Sequence, residues 1–166
     1  TDVRAAVAGV ASCTGVPGRM ELVSAGQPFT AVVDYAHTPG AVAELVRDLR
    51  ESTSGRVLLV LGCGGDRDAA KRPLMGEAGA RGADVVVVTD DNPRSEDPAV
   101  IRSAIMAAAP EAKEVAGRRE AIAEAIAIAK AGDIVLLAGK GHETGQIVGD
   151  RVLPFDDALV ARECAA

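Results

Sequence analysis

Aromatic side chains are scarce in this chain of 166 residues, where they make up 2% and tryptophan is absent. The aromatic residues are Phe29, Tyr35 and Phe155. They offer no platform on which successive bases could stack, which argues against a protein that binds single-stranded nucleic acid. The core must instead be built from Val, Leu, Ile and Ala, and the hydrophobic fraction of 48% is ample for one domain.

Excess positive charge is also lacking. Eighteen Lys and Arg side chains stand against twenty-four Asp and Glu, a net charge of −6. This balance disfavours nonspecific binding to DNA or to an anionic membrane, so an anionic ligand has to be met by a local basic cluster.

Cysteine and histidine are too few and too far apart to indicate a metal site. Cys13, Cys63 and Cys164 are an odd number without metal-like spacing, as expected of reduced thiols, and we predict that they are buried apolar filler. The histidines are His37 and His142, with no cysteine near either at ligand spacing. We therefore expect no metal ligands in this chain.

No run approaches the ~20 apolar residues of a membrane span, and the first residues show no signal-peptide pattern, so we expect a cytoplasmic protein. The sequence begins at Thr1 rather than at methionine. Val3, Val7 and Val10 already follow helical spacing there, which would suit a piece of a longer protein.

Apolar strands alternating with helices predict an α/β fold with a mostly parallel sheet and helices on both faces. An N-terminal helix and an antiparallel hairpin, near residues 20–23 and 30–34, precede this alternation, and we assign residues 1–166 to one domain. Continuously apolar segments indicate strands at 57–61, 85–88 and 134–138, and helices are expected from Pro39 and near 73–82, 98–109 and 118–131.

Ligands of such sheets gather at the carboxyl ends of the strands, which directs attention to the loops 34–39, 62–72, 90–97 and 139–146. The third loop carries Asp91-Asn92-Pro93-Arg94 directly after an apolar strand. A guanidinium binds a carboxylate in a fork, an acid and an amide oxygen accept from an ammonium, and proline stiffens the backbone between them. This combination suits an amino acid with more than one charged end.

The other three loops leave alternatives open. The glycines of 62–65, followed by Arg67, would let the backbone approach an anionic ligand, or they serve only a tight turn with solvated charges. Gly139 and Glu143 flank a segment in which the acid and a carbonyl could reach an ammonium group, or which is an ordinary turn. Asp34 and His37 could orient a ribose hydroxyl or a phosphate, or His37 could cap the following helix.

Motifs for covalent chemistry are missing. The glycine loops match neither G-x-G-x-x-G nor the G-x-x-x-x-G-K-[ST] phosphate loop, and neither G-x-S-x-G nor a recognisable Cys and His pairing exists. The chain is thus predicted to bind rather than to react, with no catalytic residue of its own.

Five motifs, taken in order, resemble the C-terminal domain of Mur ligases, and among these the members that add meso-diaminopimelate. The resemblance implies a Rossmann-like domain of an ATP-dependent amide ligase that extends UDP-N-acetylmuramoyl-L-alanyl-D-glutamate in peptidoglycan synthesis. In that reaction ATP forms an acyl-phosphate, which the incoming amine attacks. The motifs are Gly18-Arg19-Met20-Glu21, Asp34-Tyr35-Ala36-His37-Thr38-Pro39, residues 62–68 with Lys71-Arg72-Pro73, Asp91-Asn92-Pro93-Arg94 and Gly139-Lys140-Gly141-His142-Glu143.

Carried over by position, the resemblance implies two groups of binding residues. Those at the edge of the ATP site would be Arg19, Asp34 and His37. Diaminopimelate has a distal carboxylate that lysine lacks, so a site built around Arg94 would leave the guanidinium unsatisfied with lysine. The residues that would contact the amino acid are Arg67, Asp91, Asn92, Pro93, Arg94, Gly139 and Glu143.

The resemblance covers one third of such a ligase. The domains for the UDP-sugar and for ATP hydrolysis are absent from this sequence, so ATP and Mg²⁺ would be bound mainly by the missing central domain, with no cofactor here. We therefore expect this part to be inactive alone and to meet meso-diaminopimelate directly, with neither nucleic acid nor membrane as partner. Two alternatives remain: a ligase of the same family that uses lysine, and a stand-alone module that binds a nucleotide or an anion.

Overall fold

The continuously apolar segments form the middle of a six-stranded sheet in the computed structural model, which describes residues 2–13 and 15–166. The strand order is β1-β2-β6-β3-β4-β5; β1 runs antiparallel to β2, and all other neighbours are parallel. A separate antiparallel hairpin is formed by β7 and β8. The strands are β1 (Glu21–Val23), β2 (Thr30–Asp34), β3 (Val57–Leu61), β4 (Val85–Val88), β5 (Lys113–Glu114), β6 (Ile134–Ala138), β7 (Gly145–Val148) and β8 (Arg151–Pro154).

The described residues also form six helices, several of which begin at a side chain that caps the first turn. The Thr38 hydroxyl accepts from the amide of Ala41, and the carboxylate of Asp97 accepts from that of Ala99, each just before a proline in the first turn. The helices are α1 (Val3–Ala11), α2 (Pro39–Glu51), α3 (Lys71–Gly82), α4 (Pro98–Met106), α5 (Arg118–Ile128) and α6 (Asp157–Ala165).

Alternate residues of the central strands face two separate apolar clusters. On β3, Leu59 and Leu61 pack with side chains of α2, α3 and α4, whereas Leu58 and Val60 pack with those of α5 and α6. Every residue of β3 and of β6 is buried. The expected mostly parallel sheet with helices on both faces is confirmed, as is the antiparallel hairpin at its edge.

Several details differ from the sequence-based expectations. Two helices end earlier than predicted, at Met106 and Ile128, and the β7–β8 hairpin, β5 and α6 were not anticipated. The prediction that all cysteines are buried holds only for Cys63. Cys13 is exposed because it follows the end of a surface helix, and Cys164 on α6 is half-buried.

The N-terminal helix α1 lies outside the core. None of its residues is buried, and Val3, Val7 and Val10 expose 74%, 62% and 77% of their surface. This helix therefore has the apolar stripe that the sequence predicts, but the stripe is exposed to solvent. Among the described residues, none of the helices has the length and apolarity that crossing a membrane requires.

Candidate functional site

The four loops singled out from the sequence meet at one edge of the sheet, because the parallel strands β2, β3, β4 and β6 all end there. They enclose an open cleft of about 440 Å³. Tyr35, His37, Lys71, Gly64 and Asp68 complete its walls. Of the seven residues predicted to contact an amino acid, six line it: Arg67, Asp91, Asn92, Arg94, Gly139 and Glu143.

Arg94 faces this cleft from an unusual backbone conformation. Its φ of 53° lies in the left-handed region, which is sparsely populated by residues other than glycine. Two main-chain bonds hold it there: its amide donates to the carbonyl of Ile147 (3.0 Å), and its carbonyl accepts from the amide of Gly149 (2.7 Å). In the side chain, Nη1 donates to the carbonyl oxygen of Gly65 (2.8 Å). The guanidinium is thus anchored at one nitrogen.

Pro93, the seventh residue, lies behind the wall of the cleft. A Cβ added to Gly65 would lie 1.9 Å from the carbonyl oxygen of Pro93. The two loops therefore touch through their backbones, and only glycine fits at position 65. The contact includes a hydrogen bond from the amide of Gly65 to the carbonyl of Asn92 (2.9 Å).

The Asn92 side chain is almost entirely used by protein contacts. It is 4% exposed; Nδ2 donates to Oε2 of Glu143 (2.8 Å), and Oδ1 accepts from the amide of Ile147 (2.9 Å). Asn92 therefore fixes Glu143 and the β7–β8 hairpin against its own loop.

Asp91 and Gly139 lie side by side at the floor of the cleft. The Asp91 side chain is 13% exposed, and its Oδ1 is buried without a hydrogen-bond partner among the described residues. Gly139 has a φ of 112°, which side-chain-bearing residues rarely adopt, and its amide donates to the carbonyl of Asp34 (3.1 Å). This turn brings the 139–146 loop against Asp91.

Arg67 lies on the exposed rim, where Nη1 donates to the carbonyl of Asp66 (2.9 Å). The Asp66 carboxylate accepts from the hydroxyl of Ser95 (2.7 Å), which lowers the pKa of Asp66. Behind it, a hydrogen bond from Arg72 (2.8 Å) holds the pKa of Glu96 below its usual range. These two contacts join the loops 62–72 and 90–97, which carry Arg67 and Arg94.

A second, smaller cleft of about 290 Å³ contains the three residues predicted to lie near a nucleotide, Arg19, Asp34 and His37. The Arg19 guanidinium carbon lies 4.7 Å from the centre of the Tyr35 ring, and the His37 ring is 4.6 Å from the same ring. Asp34 accepts from the amides of Met20 and Ala36, each at 2.8 Å. The helix cap that was considered for His37 is provided by Thr38.

Tyr35 and His37 border both clefts, so the two sites share a wall. One His37 ring nitrogen, Nδ1, is 2.8 Å from the carbonyl oxygen of Tyr35, which leaves Nε2 for a ligand. Tyr35 was not among the predicted binding residues. Its signal in the sequence is that the chain's single tyrosine stands in a loop that follows a buried strand.

Two buried cations behind the larger cleft were also missed. Lys140 is 0% exposed, and its Nζ lies 3.6 Å from Oδ1 of Asp91 and 3.2 Å from Oε2 of Glu143. Arg118, 2% exposed, forms a two-pronged ion pair with Asp157 (2.8 and 2.6 Å) and donates to the carbonyl of Ala138 (3.1 Å). Burial opposes the charge of Arg118, but Asp157 outweighs it and raises the arginine's pKa. Arg118 is the first residue of α5 and Asp157 the first residue of α6, so these contacts fix the starts of both helices to the end of β6.

Cys63 adjoins Gly64, which lines the larger cleft. Burial raises the pKa of the Cys63 thiol to about 11, so this group beside the cleft is protonated at neutral pH. Within residues 2–13 and 15–166, no three His, Cys, Asp or Glu side chains are grouped so as to hold a metal ion. The described residues thus offer charged and hydrogen-bonding groups but no metal centre.

Comparison with known proteins finds relatives that cover nearly the whole of this chain. A protein of Brucella melitensis named UDP-N-acetylmuramoyl-L-alanyl-D-glutamate–2,6-diaminopimelate ligase is 56% identical over 166 residues, covering 98% of this chain and 34% of that protein. A solved structure of a ligase of the same name superposes with a TM-score of 0.84 at 41% identity, covering 99% of this chain and 34% of the other. A Mycobacterium tuberculosis folylpolyglutamate synthase, solved with ADP and AMPPCP, gives 0.65 at 25% identity, covering 84% and 33%.

The chain thus spans about a third of the length of the relatives that it matches. A family model described as "Mur ligase, glutamate ligase domain" matches residues 18–141, a range that includes every predicted binding residue except Glu143. On the sequence identity, the superposition and this match, the chain belongs to the Mur ligase family.

Proposed function

We propose that these 166 residues are the C-terminal, amino-acid-binding domain of an ATP-dependent ligase that adds meso-diaminopimelate to UDP-N-acetylmuramoyl-L-alanyl-D-glutamate. The observation that carries the proposal is the charge pattern of the larger cleft. Three cationic side chains (Arg67, Lys71 and Arg94) and three anionic ones (Asp68, Asp91 and Glu143) line it. Relatives at more than 50% identity are named as diaminopimelate ligases.

Diaminopimelate fits this pattern because it has an ammonium and a carboxylate at each end. In the proposed complex the Arg94 guanidinium pairs with the distal carboxylate, using the nitrogens that Gly65 does not engage. Asp91 and Glu143 accept from the ammonium on the same carbon, and Arg67 adds positive charge at the rim. Asn92, Pro93 and Gly139 shape the wall.

The smaller cleft is proposed to meet the nucleotide. Arg19 is available there for a phosphate oxygen. Because Nδ1 of His37 donates to the carbonyl of Tyr35, its Nε2 can accept from a ribose hydroxyl, and Asp34 holds the loop that carries the histidine. A folylpolyglutamate synthase with a similar domain was solved with ADP, which supports a nucleotide as a ligand of the complete enzyme. By the resemblance to Mur ligases, ATP and Mg²⁺ would be held mainly by the central domain of the complete enzyme.

In the complete enzyme this domain would deliver the amine and close on the acyl-phosphate. Its contribution is then positioning and electrostatics, which account for large rate effects without a protein nucleophile. The proposal places the enzyme in the cytoplasm, in peptidoglycan synthesis, and makes this domain inactive by itself.

Replacing Arg94 tests the proposal most directly. In the complete ligase that carries this chain, Arg94→Ala should lower kcat/KM for diaminopimelate by at least about 30-fold, since truncating one partner of a desolvated charge pair costs about 2 kcal/mol or more. Lysine has no distal carboxylate, so its weaker use or binding should change little. The use of each amino acid is measured as amino-acid-dependent phosphate release, and the binding of lysine by its competition with diaminopimelate.

Arg81→Ala is the matched control, because Arg81 pairs with Glu77 on the exposed face of α3, and neither residue lines either cleft. It should leave both amino acids unaffected. An unchanged preference for diaminopimelate over lysine in Arg94→Ala would refute the assignment of the arginine, and a wild-type preference for lysine would establish the narrower alternative.

A further inference from the structure

Lys140 is a fully buried lysine at the junction of the loops that line the larger cleft. Its side chain is 0% exposed, although lysine is almost never fully buried unless it is paired. Nζ donates to the carbonyl of Gly145 (2.6 Å), to Oε2 of Glu143 (3.2 Å) and to Oδ1 of Asn92 (3.3 Å). An ammonium group has three protons, and these three acceptors use them all.

The same ammonium lies 3.6 Å from Oδ1 of Asp91, the buried oxygen that lacks a hydrogen-bond partner among the described residues. Lys140 therefore stands between two carboxylates that both line the cleft. Burying an ammonium costs several kcal/mol, which these acceptors must offset.

The contacts of Lys140 also cross between separate segments of the chain. Asn92 belongs to the loop after β4, Glu143 to the loop after β6, and Gly145 begins β7. The bond between Asn92 Nδ2 and Glu143 Oε2 (2.8 Å) closes a ring of polar contacts with the lysine. The orientation of Glu143 is thus set from the interior of the protein.

We propose that Lys140 is a positioning residue for the ammonium of the amino-acid substrate. It binds the inner side of Glu143 and Asp91, so that their remaining oxygens face the cleft where an incoming ammonium would bind. The inference rests on the proposed function and deepens it. In this proposal the larger cleft has two parts. Lys140 organises the part that binds the ammonium, and Arg94 belongs to the part that binds the carboxylate.

Lys140→Met in the complete ligase tests this role, because methionine has a similar length and no charge. KM for diaminopimelate should rise at least tenfold, while kcat and KM for ATP stay within about threefold. Lysine shares the ammonium, so its inhibition constant should rise by the same factor as KM for diaminopimelate. The preference for diaminopimelate is then unchanged, in contrast to Arg94→Ala.

Arg56→Met is the matched control for the loss of a paired cation. Arg56 pairs with the buried Asp133 (2.7 Å) at the opposite edge of the sheet, so its loss should lower stability without a selective change in KM. A rise in KM for diaminopimelate of less than twofold in Lys140→Met, or an equal rise for all substrates, would overturn the proposal.

If Lys140→Met does not fold, Lys140→Gln is measured instead, since glutamine keeps donors for Gly145 and Asn92 without the charge. The same selective rise in KM is expected. Loss of the fold in both variants would make Lys140 a determinant of folding and overturn its positioning role. A failure of the proposed function is distinguishable, because it shows in Arg94→Ala and not in the Lys140 variants.

Discussion

The backbone contact between Gly65 and Pro93 can be tested by adding a single methyl group. In Gly65→Ala the new Cβ would lie 1.9 Å from the carbonyl oxygen and 2.8 Å from the carbonyl carbon of Pro93. Contacts below 3.0 Å are essentially never seen for a real Cβ, and both atoms belong to the backbone. The loops after β3 and β4 must therefore move apart by about 1 Å.

That movement would stretch two hydrogen bonds between the loops. They are the bond from the Gly65 amide to the carbonyl of Asn92 (2.9 Å) and the bond from Arg94 Nη1 to the carbonyl of Gly65 (2.8 Å). Overpacking costs about 1–3 kcal/mol, and each weakened bond adds about 1 kcal/mol. We expect Gly65→Ala to lower the free energy of unfolding by about 3–5 kcal/mol and, in the complete ligase, to raise KM for diaminopimelate.

Urea unfolding of the chain followed by circular dichroism measures the first effect, and steady-state kinetics the second. Gly40→Ala is the control: no atom lies within 4 Å of a Cβ at this position in α2, so it should be neutral or slightly stabilising. If Gly65→Ala were as stable as the unaltered chain and kept its KM, the reasoning from this contact would be refuted.

Two further predictions concern stability. Hydrogen bonds from Arg56 lower the pKa of Asp133 from 3.8 to about 2, so Asp133→Asn should remove about 2 kcal/mol at pH 7. Because the folded-state pKa is the lower one, this stabilisation is complete above pH about 4 and disappears as the pH falls toward 2; a pH-independent difference in unfolding free energy would contradict it. Leu59→Ala should cost about 2–5 kcal/mol, since Leu59 is fully buried. Its control is Val7→Ala on exposed α1, which should change the free energy of unfolding by less than about 0.5 kcal/mol. The urea concentration at the midpoint of unfolding is measured for both variants.

The sequence was most informative where burial leaves a continuous signal. β3 and β6 are apolar at every position because both faces of the sheet are covered, and their limits were predicted correctly. Parallel strands bring their carboxyl ends to one edge of the sheet, so the sequence alone predicts that loops far apart in the chain belong to one site.

Other features depend on contacts that no local pattern encodes. Lys140, between two glycines, has the sequence context of an exposed loop residue, and its burial requires acceptors from the distant Asn92 and from Gly145. Strands β7 and β8 are short and half-exposed, so they lack the apolar run that identified the central strands. The ends of α4 and α5 were overestimated because alanine favours a helix even where the chain has already turned away.

The β7–β8 hairpin adds a consequence for how substrate preference could change in evolution. It binds the main chain of Arg94 on both sides, through Ile147 and Gly149, and so sets the direction from which the guanidinium enters the cleft. An insertion or deletion in this hairpin would redirect the arginine while leaving Asp91-Asn92-Pro93-Arg94 unaltered. On the role proposed for Arg94, two ligases with an identical tetrapeptide would then differ in selectivity, and the tetrapeptide would be informative only together with the length of the hairpin beside it.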